Sequence, residues 1–226
     1  MSTTTDPAAT GPRERNRRGQ GGRLRTDIIT AAAELLDETG NEQAVTLRAV
    51  ARRIGIAAPS IYAHFPDRQA ILLAIVQDAF AELAATLRAT ATPDAEETPV
   101  ARLRTACTAY LDFAATRPQR YRVMFGGVWN AAEAVDSAKV TAAEVTELGQ
   151  DALAVLVTAL DACVAAGSST STDTTADAIA LWLGLHGLAH QRAVTTAFPW
   201  PADITERLIT ALAHLTQQPP GRPTAS

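Results

Sequence analysis

The residues of this chain whose types and spacing could do chemistry fall in two stretches. Between 46 and 68 stand Thr46, Arg48, Arg52, Ser60, Tyr62, His64 and Arg68. Guanidinium, hydroxyl, phenol and imidazole groups of this kind grip phosphates and read base edges. In the second half, His186 and His190 are four apart, which puts both imidazoles on one helix face at the spacing of a metal pair. No Asp, Glu or Cys is placed nearby in sequence to complete that pair, so packing or hydrogen bonding is the expected role. Neither a metal nor a cofactor is expected. Cys107 and Cys163 are far apart with no CxxC spacing and read as small apolar helix residues. There is no Gly-rich phosphate loop, no Gly-x-Ser-x-Gly and no nucleophile spaced to a base. Catalysis is therefore not expected.

Charge separates the two stretches. The 226-residue chain has a formal net charge of −4, which alone would argue against a nucleic-acid partner. Residues 1–70, however, hold ten arginines against eight acids, while 71–226 hold ten basic residues against sixteen acids. Within 11–25 there are six arginines and one glutamate. A basic end on an acidic body points to a polyanion for that end alone. The Arg-rich stretch reads equally as a solvated tail or as an arm for phosphate or the minor groove. The first 22 residues have no apolar core, so no signal peptide is expected. No apolar run approaches the ~18 residues of a membrane span. A cytoplasmic protein with no membrane partner is expected. One Lys against nineteen Arg in an Ala-rich chain fits GC-rich bacterial coding.

The elements that must position these residues are helical throughout, with no sustained period-2 alternation. Residues 1–21, rich in Thr, Pro, Gly and Arg, read as disordered, as does the Pro-rich tail 218–226. A helix over 23–39 carries Leu24, Ile28, Ala32 and Leu35 on one face and stops at Gly40. Thr46 can cap a short helix whose inward face is Leu47, Val50, Ala51 and Ile54, and Gly55 breaks it. A third helix covers 58–64, and a fourth runs from Asp67 to Thr90. Further helices are expected over 99–117 and 119–125, then an irregular segment over 128–136. One long helix follows from a Ser137 cap to Ala166, and two more cover 177–197 and 203–217.

Two short helices joined at Gly55 cannot be stable alone. They must pack as a corner on helix 23–39, with Leu47, Val50, Ile54, Ile56, Ile61 and Phe65 inward. That leaves Thr46, Arg48, Arg52, Ala57, Ala58, Pro59, Ser60, Tyr62 and His64 outward, a helix-turn-helix arrangement whose second helix enters the major groove. The pattern Gly55-x6-Tyr62-x-His64-Phe65, preceded by Leu47-x-x-Val50-Ala51 and followed by a capped helix, resembles the DNA-binding domain of the TetR/AcrR family over roughly 23–85. The resemblance implies that Arg48 projects toward a base, and that Ala58, Pro59 and Ser60 lie nearest the bases. Tyr62, His64 and Arg68 would contact phosphates. Many family members have Ser or Thr where this chain has Ala57, so one side-chain cap and one phosphate bond are expected to be missing. Tyr62 as a surface or core aromatic, and His64 as a helix cap, remain the alternatives.

The second half clusters its aromatics: Tyr110, Phe113, Tyr121, Met124, Phe125 and Trp129 in one segment, Trp182, Phe198 and Trp200 in another. Such clustering reads either as core filling or as the lining of a mostly apolar small-ligand pocket with few polar handles, here Tyr, His and Cys. Trp182-x-x-x-His186-Gly187 and Arg120-Tyr-Arg-Val-Met-Phe125 resemble one C-terminal class of TetR-like regulators. That resemblance implies a ligand-binding and dimerisation domain, with Tyr110, Phe113, Tyr121, Met124, Phe125, Trp129, Trp182 and His186 as candidate ligand contacts. It also implies a homodimer through the last two helices, with Leu181, Leu185, Leu188, Leu208, Leu212 and Leu215 as the seam and Gly184, Gly187 and Ala189 allowing close approach.

The expected fold is therefore all-α, with about nine helices. A three-helix helix-turn-helix unit (22–85) is joined by the helix 67–90 to a helical unit (86–217). The expected function is a sequence-specific repressor bound to double-stranded operator DNA and released by a small, largely apolar effector pressing on the far end of helix 67–90. An activator and a ligand-independent DNA-binding protein are the alternatives.

Overall fold

The computed structural model describes residues 20–90, 97–126, 129, 135 and 140–216. Residues 1–19 of the expected disordered end 1–21, the tail 218–226, most of the segment 91–98 and most of the segment 128–136 lie outside the described residues, as does the expected Ser137 cap, while Gln20 and Gly21 are helical rather than disordered. Helix α1 (Gln20–Thr39) begins three residues before expected and ends where Gly40 takes the left-handed conformation, φ 59°. It buries Ile28, Ala32 and Leu36. A 3-10 turn (Glu42–Ala44) leads to α2 (Leu47–Arg53). Thr46 Oγ1 accepts the Ala49 N–H at 3.1 Å and caps that helix, as the sequence indicates. Gly55, at φ 70°, turns the chain into α3 (Ala58–Tyr62), whose cap residue Ala57 makes no side-chain hydrogen bond. Leu47, Val50, Ile61 and Phe65 are buried in the corner, with Ile54 and Ile56 half-buried beside them.

Asp67 Oδ1 accepts the Ala70 N–H at the start of α4 (Arg68–Thr90). This helix buries apolar residues on more than one side because it serves two cores in turn. Ile71 through Phe80 belong to the core shared with α1–α3, and Leu83, Ala84 and Leu87 to the second core. By length and composition α4 and the stretch Ala142–Ala165 are apolar enough to cross a bilayer, although charged residues interrupt both. In α4 that apolarity is used up by burial inside the protein.

Helices α5 (Pro99–Thr116), α6 (Pro118–Phe125), α7 (Ala142–Glu147), α8 (Gln150–Ala165), α9 (Thr174–Val194) and α10 (Ile204–Leu212) follow, and all but α7, whose Val145 packs against the first core, contribute to the second. The single long helix expected to Ala166 is in fact two. Thr141 and Glu144 form a capping box on α7. Gly149, at φ 80°, then breaks the chain, and a side chain there would sit 2.9 Å from the Phe80 ring. Helix α9 starts earlier than expected because Asp173 accepts the Ala176 N–H. Helix α10 stops well short of 217: after His214, at φ 49°, Leu215 forms an antiparallel bridge with Ser169. That bridge is the nearest approach to a strand among the described residues.

The expected dimer seam needs correction. Leu181, Leu185, Leu188 and Leu215 are buried in their own protomer's core. Gly184 is covered by Leu208 and Leu212 of α10, so its missing side chain serves packing within the chain. The exposed apolar residues of α9 are instead Ile179, Leu183 and Val194, with Phe198 just beyond. Together with exposed Ala176 and Gly187, Ile179, Leu183 and Val194 fall at steps of three, four, four and seven residues, one face of a helix.

Candidate nucleic-acid interface and ligand cavity

The outer face of α2 and α3 carries most of the residues expected to meet DNA. Thr46, Arg48, Ala57, Pro59, Ser60 and Tyr62 are exposed, and Tyr62 shows 53% of its surface. An aromatic left that open contributes little to the fold, whereas its neighbour Ile61 is fully buried. Ala58 and His64 are half-buried, Ala58 against the core. Arg68 departs from expectation. It is half-buried, and its Nη2 donates to the Glu42 carbonyl at 2.8 Å. It ties α4 to the turn before α2. Arg53, which the sequence reading passed over, pairs with Glu34 at 3.1 Å and Glu38 at 2.6 Å on α1. All three arginines of α2 are exposed, and Arg53 is the one that ties α2 to α1.

Helix α6 is fastened to this corner. The Arg120 guanidinium meets Asp78 at 2.9 Å and Glu82 at 3.1 Å on α4, and lies 3.9 Å from Asp37 on α1. Burial raises the Asp37 carboxyl above the usual carboxylate range, with Arg120 pulling the other way. Arg122 donates to the Gly40 carbonyl at the end of α1, and Gln119 packs over the same glycine.

Helix α6 also lines a cavity of about 690 Å³ between α5, α6 and α9, within the range of small-molecule sites. Its apolar wall includes Leu111, Ala114, Phe125, Ala189 and Val194, and its polar groups are Asp112, Gln119, Tyr121, Arg122, His186, His190 and Arg192. Of the eight candidate ligand contacts, Tyr121, Phe125 and His186 line it. Tyr110 and Phe113 are buried in the second core and Trp129 in the first, while Met124 and Trp182 pack half-buried against both. Neither cysteine reaches the cavity. Both are buried, and burial pushes the Cys107 thiol up to about 12. No residue of α4 lines it either, so direct pressure of a ligand on that helix is not what the geometry offers. The sequence reading missed Asp112, Arg122 and Arg192. Their types were visible, but only the packing of three helices separated by up to eighty residues puts them on one wall.

A chain of hydrogen bonds runs from the core into this wall. Trp182 Nε1–H donates to the Tyr110 hydroxyl at 3.2 Å. The Tyr110 and Tyr121 hydroxyls are 3.2 Å apart, and the Tyr121 hydroxyl lies 2.6 Å from His186 Nδ1. Burial raises both phenols above their ordinary range, so they stay protonated. Burial, with His190 adding to it, lowers the His186 imidazole and favours its neutral form. His186 and His190 face the same cavity, but no cluster of three or more metal-ligating side chains occurs among the described residues.

Comparison with known proteins agrees with this division of labour. Residues 28–75 match the bacterial regulatory proteins of the tetR family, and residues 103–215 match a tetracyclin repressor-like C-terminal domain. The second match is a coarser description than the Trp-x-x-x-His-Gly class that 182–187 resembles. A nucleoid occlusion factor SlmA from Photobacterium profundum is 28% identical over 102 residues, 45% of this chain and 51% of that protein. The chain thus spans about half the length of the curated relatives it matches. A solved protein of unknown function from Rhodococcus sp. RHA1 superposes with a TM-score of 0.65 at 25% identity, covering 88% of this chain and 95% of that one. A tetR-family regulatory protein from Rhodococcus RHA1 superposes with a TM-score of 0.57 at 18% identity, covering 84% and 95%. With its helix-turn-helix corner and its C-terminal half both matched, the chain belongs to the TetR family of bacterial regulatory proteins.

Proposed function

We propose that this DNA-binding regulator is a homodimeric, cytoplasmic repressor, held on a pseudo-palindromic operator by the outer face of α2 and α3 and released by a small, largely apolar effector in the α5–α6–α9 cavity. As a TetR-family protein it is a DNA-binding transcription regulator and not an enzyme. In this reading residues 22–85 are the operator-binding unit and 86–217 the effector and dimerisation unit, with α4 shared between them. Arg48 reads a base, Ala58, Pro59 and Ser60 lie nearest the bases, Thr46 and Ala57 stand on the same face at the starts of α2 and α3, and Tyr62 and His64 hold phosphates. Arg68 positions α4 and reaches phosphate only through its remaining nitrogens. The partner protomer covers the stripe Ile179–Leu183–Gly187–Val194.

One observation carries the release mechanism. The cavity wall α6 is fastened to the DNA-binding corner through Arg120 with Asp37, Asp78 and Glu82, and through Arg122 with Gly40. An effector that shifts α6 therefore takes the end of α1 and the middle of α4 with it. In a dimer that changes the spacing of the two α3 helices, which must match half-sites about 34 Å apart. By linkage, operator DNA weakens effector binding by the factor by which effector weakens operator binding.

The test is a gel-shift scan of DNA upstream of the gene and its neighbours, with and without candidate apolar compounds, at two salt concentrations. A discrete shifted band on one palindromic fragment, lost on adding a compound, is expected. Uniform binding to all fragments with a steep salt slope would end the operator reading. A second reading, a DNA-binding factor with no small-molecule effector, is favoured by the match to nucleoid occlusion factors. Under it no compound releases DNA from the wild type. Under the first, Ala115→Trp, which fills the cavity from α5, abolishes release and spares operator affinity.

A further inference from the structure

The hydrogen-bond chain behind the cavity has a direction. The Trp182 indole can only donate, so the Tyr110 oxygen accepts from it. Tyr110 is buried, and its own proton has a partner only in the Tyr121 oxygen. The partner of the Tyr121 proton among the described residues is then His186 Nδ1, 2.6 Å away. Reversing the chain would make Tyr110 accept twice and strand its proton in the core, which is costly. A neutral His186 that accepts at Nδ1 carries its proton on Nε2, and no described residue accepts from that N–H. The cavity wall therefore presents a fixed donor at His186. Arg122 and Arg192 line the cavity as well, and their guanidiniums bond neutral acceptors, the Gly40 carbonyl and the Thr205 hydroxyl, with no carboxylate partner among the described residues. Against these donors the wall sets one carboxylate, Asp112. The Gln119 amide can offer either end by rotation.

We infer that the cavity takes an amphipathic acid, its apolar body lying on Leu111, Ala114, Phe125 and Ala189 and its carboxylate held by the His186 Nε2–H and by Arg122 and Arg192. This rests on reading the cavity as the effector site and narrows that site from apolar molecules in general to acids with an apolar tail. A carboxylate only accepts hydrogen bonds, and its bonds to charged donors are the strong ones.

The experiment is calorimetric titration of the full-length dimer with decanoate, decan-1-ol and decyltrimethylammonium, all below their aggregation limits. Decanoate binds about tenfold or more tightly than decan-1-ol, and the cation binds weakest. Tyr121→Phe frees the His186 proton to move to Nδ1, and Arg192→Gln removes one guanidinium. Each narrows the gap between acid and alcohol by weakening the acid more than the alcohol, with thermal melts confirming that both variants fold. Equal binding of acid and alcohol, preference for the cation, no binding of any probe, or a gap untouched by both variants overturns the inference. Operator binding separates its failure from that of the repressor reading. Equal binding of acid and alcohol with operator release leaves the repressor reading standing, whereas acid preference without release overturns only that reading.

Discussion

The helix-turn-helix corner and the α5–α6–α9 cavity are encoded in opposite ways. In the corner each functional position is set by residues a few places away. Thr46 caps α2, Gly55 makes the turn, and Ile61 anchors the helix whose next residue, Tyr62, faces out. In the cavity the wall residues come from 111 to 194. Their polarity is set by contacts across the fold, Tyr121 with His186 and Trp182 with Tyr110. A site built by neighbours in sequence shows in the sequence, whereas a site built by packing shows only its residue types.

The sharpest test of local encoding sets Ile61 beside Tyr62. Ile61→Ala removes a fully buried side chain and should cost about 3–4 kcal/mol of stability, lowering the denaturant midpoint and operator binding together. Tyr62→Ala should leave the midpoint in place, because the ring is more than half exposed. A midpoint shift from Tyr62→Ala comparable to that of Ile61→Ala would make Tyr62 a structural residue and remove it from the DNA face.

The same contrast explains what the sequence disclosed. Some capped helix starts were legible: Thr46, Asp67 and Thr98 accept N–H groups at the starts of α2, α4 and α5, whereas the caps at Thr141 and Asp173 were not read. The helix break at Gly149 was not, because a glycine within an Ala-rich run carries no local sign that the Phe80 ring lies against it. The seam leucines were misplaced for a related reason. Helix α9 is apolar on two faces, one buried through Leu181, Leu185 and Leu188 and one open through Ile179, Leu183 and Val194. Periodicity alone does not tell which is which. Arg120 and Arg122 lie in a run that the sequence singled out, but their partners on α1 and α4 are thirty-eight or more residues away.

The long-range side is probed by Tyr110→Phe. It removes the acceptor of the Trp182 N–H and the donor to Tyr121 in one step, with no change in shape. Leaving the indole donor unpaired should cost about 2 kcal/mol, read as a lower denaturant midpoint. Operator affinity should be unchanged, since the α6 fastenings at Arg120 and Arg122 do not pass through Tyr110. A loss of operator affinity at full occupancy of the fold would mean that the two regions are coupled through the core as well as through α6.

Within the corner, Arg48 and Tyr62 should fail differently on DNA. Arg48→Ala should cost about 1–2 kcal/mol on the preferred operator and relax the preference at one position per half-site. Tyr62→Ala should weaken every duplex by a similar factor, since phosphate contacts carry no sequence information. Competition binding against a set of single-base operator variants separates the two. If both substitutions weaken all variants alike, Arg48 holds phosphate rather than a base.

The smallest effect is also the most direct comparison of the two kinds of encoding. Gly55 and Gly149 both hold a positive φ, 70° and 80°, and an alanine at either carries the same backbone penalty, about 1 kcal/mol. Around Gly55 nothing lies within 4 Å of the position a Cβ would take, so Gly55→Ala should cost that penalty and no more. At Gly149 the added Cβ would come 2.9 Å from Cε1 of Phe80. That ring already packs edge-on against Phe125 at a centroid distance of 5.5 Å, so it cannot withdraw freely. Gly149→Ala should therefore cost the backbone penalty and a steric one, about 1 kcal/mol more than Gly55→Ala. Denaturant midpoints of the two variants, measured side by side, give the difference. Equal losses would show that Phe80 yields at no cost, and that the break between α7 and α8 is held by backbone conformation alone, as the turn between α2 and α3 is.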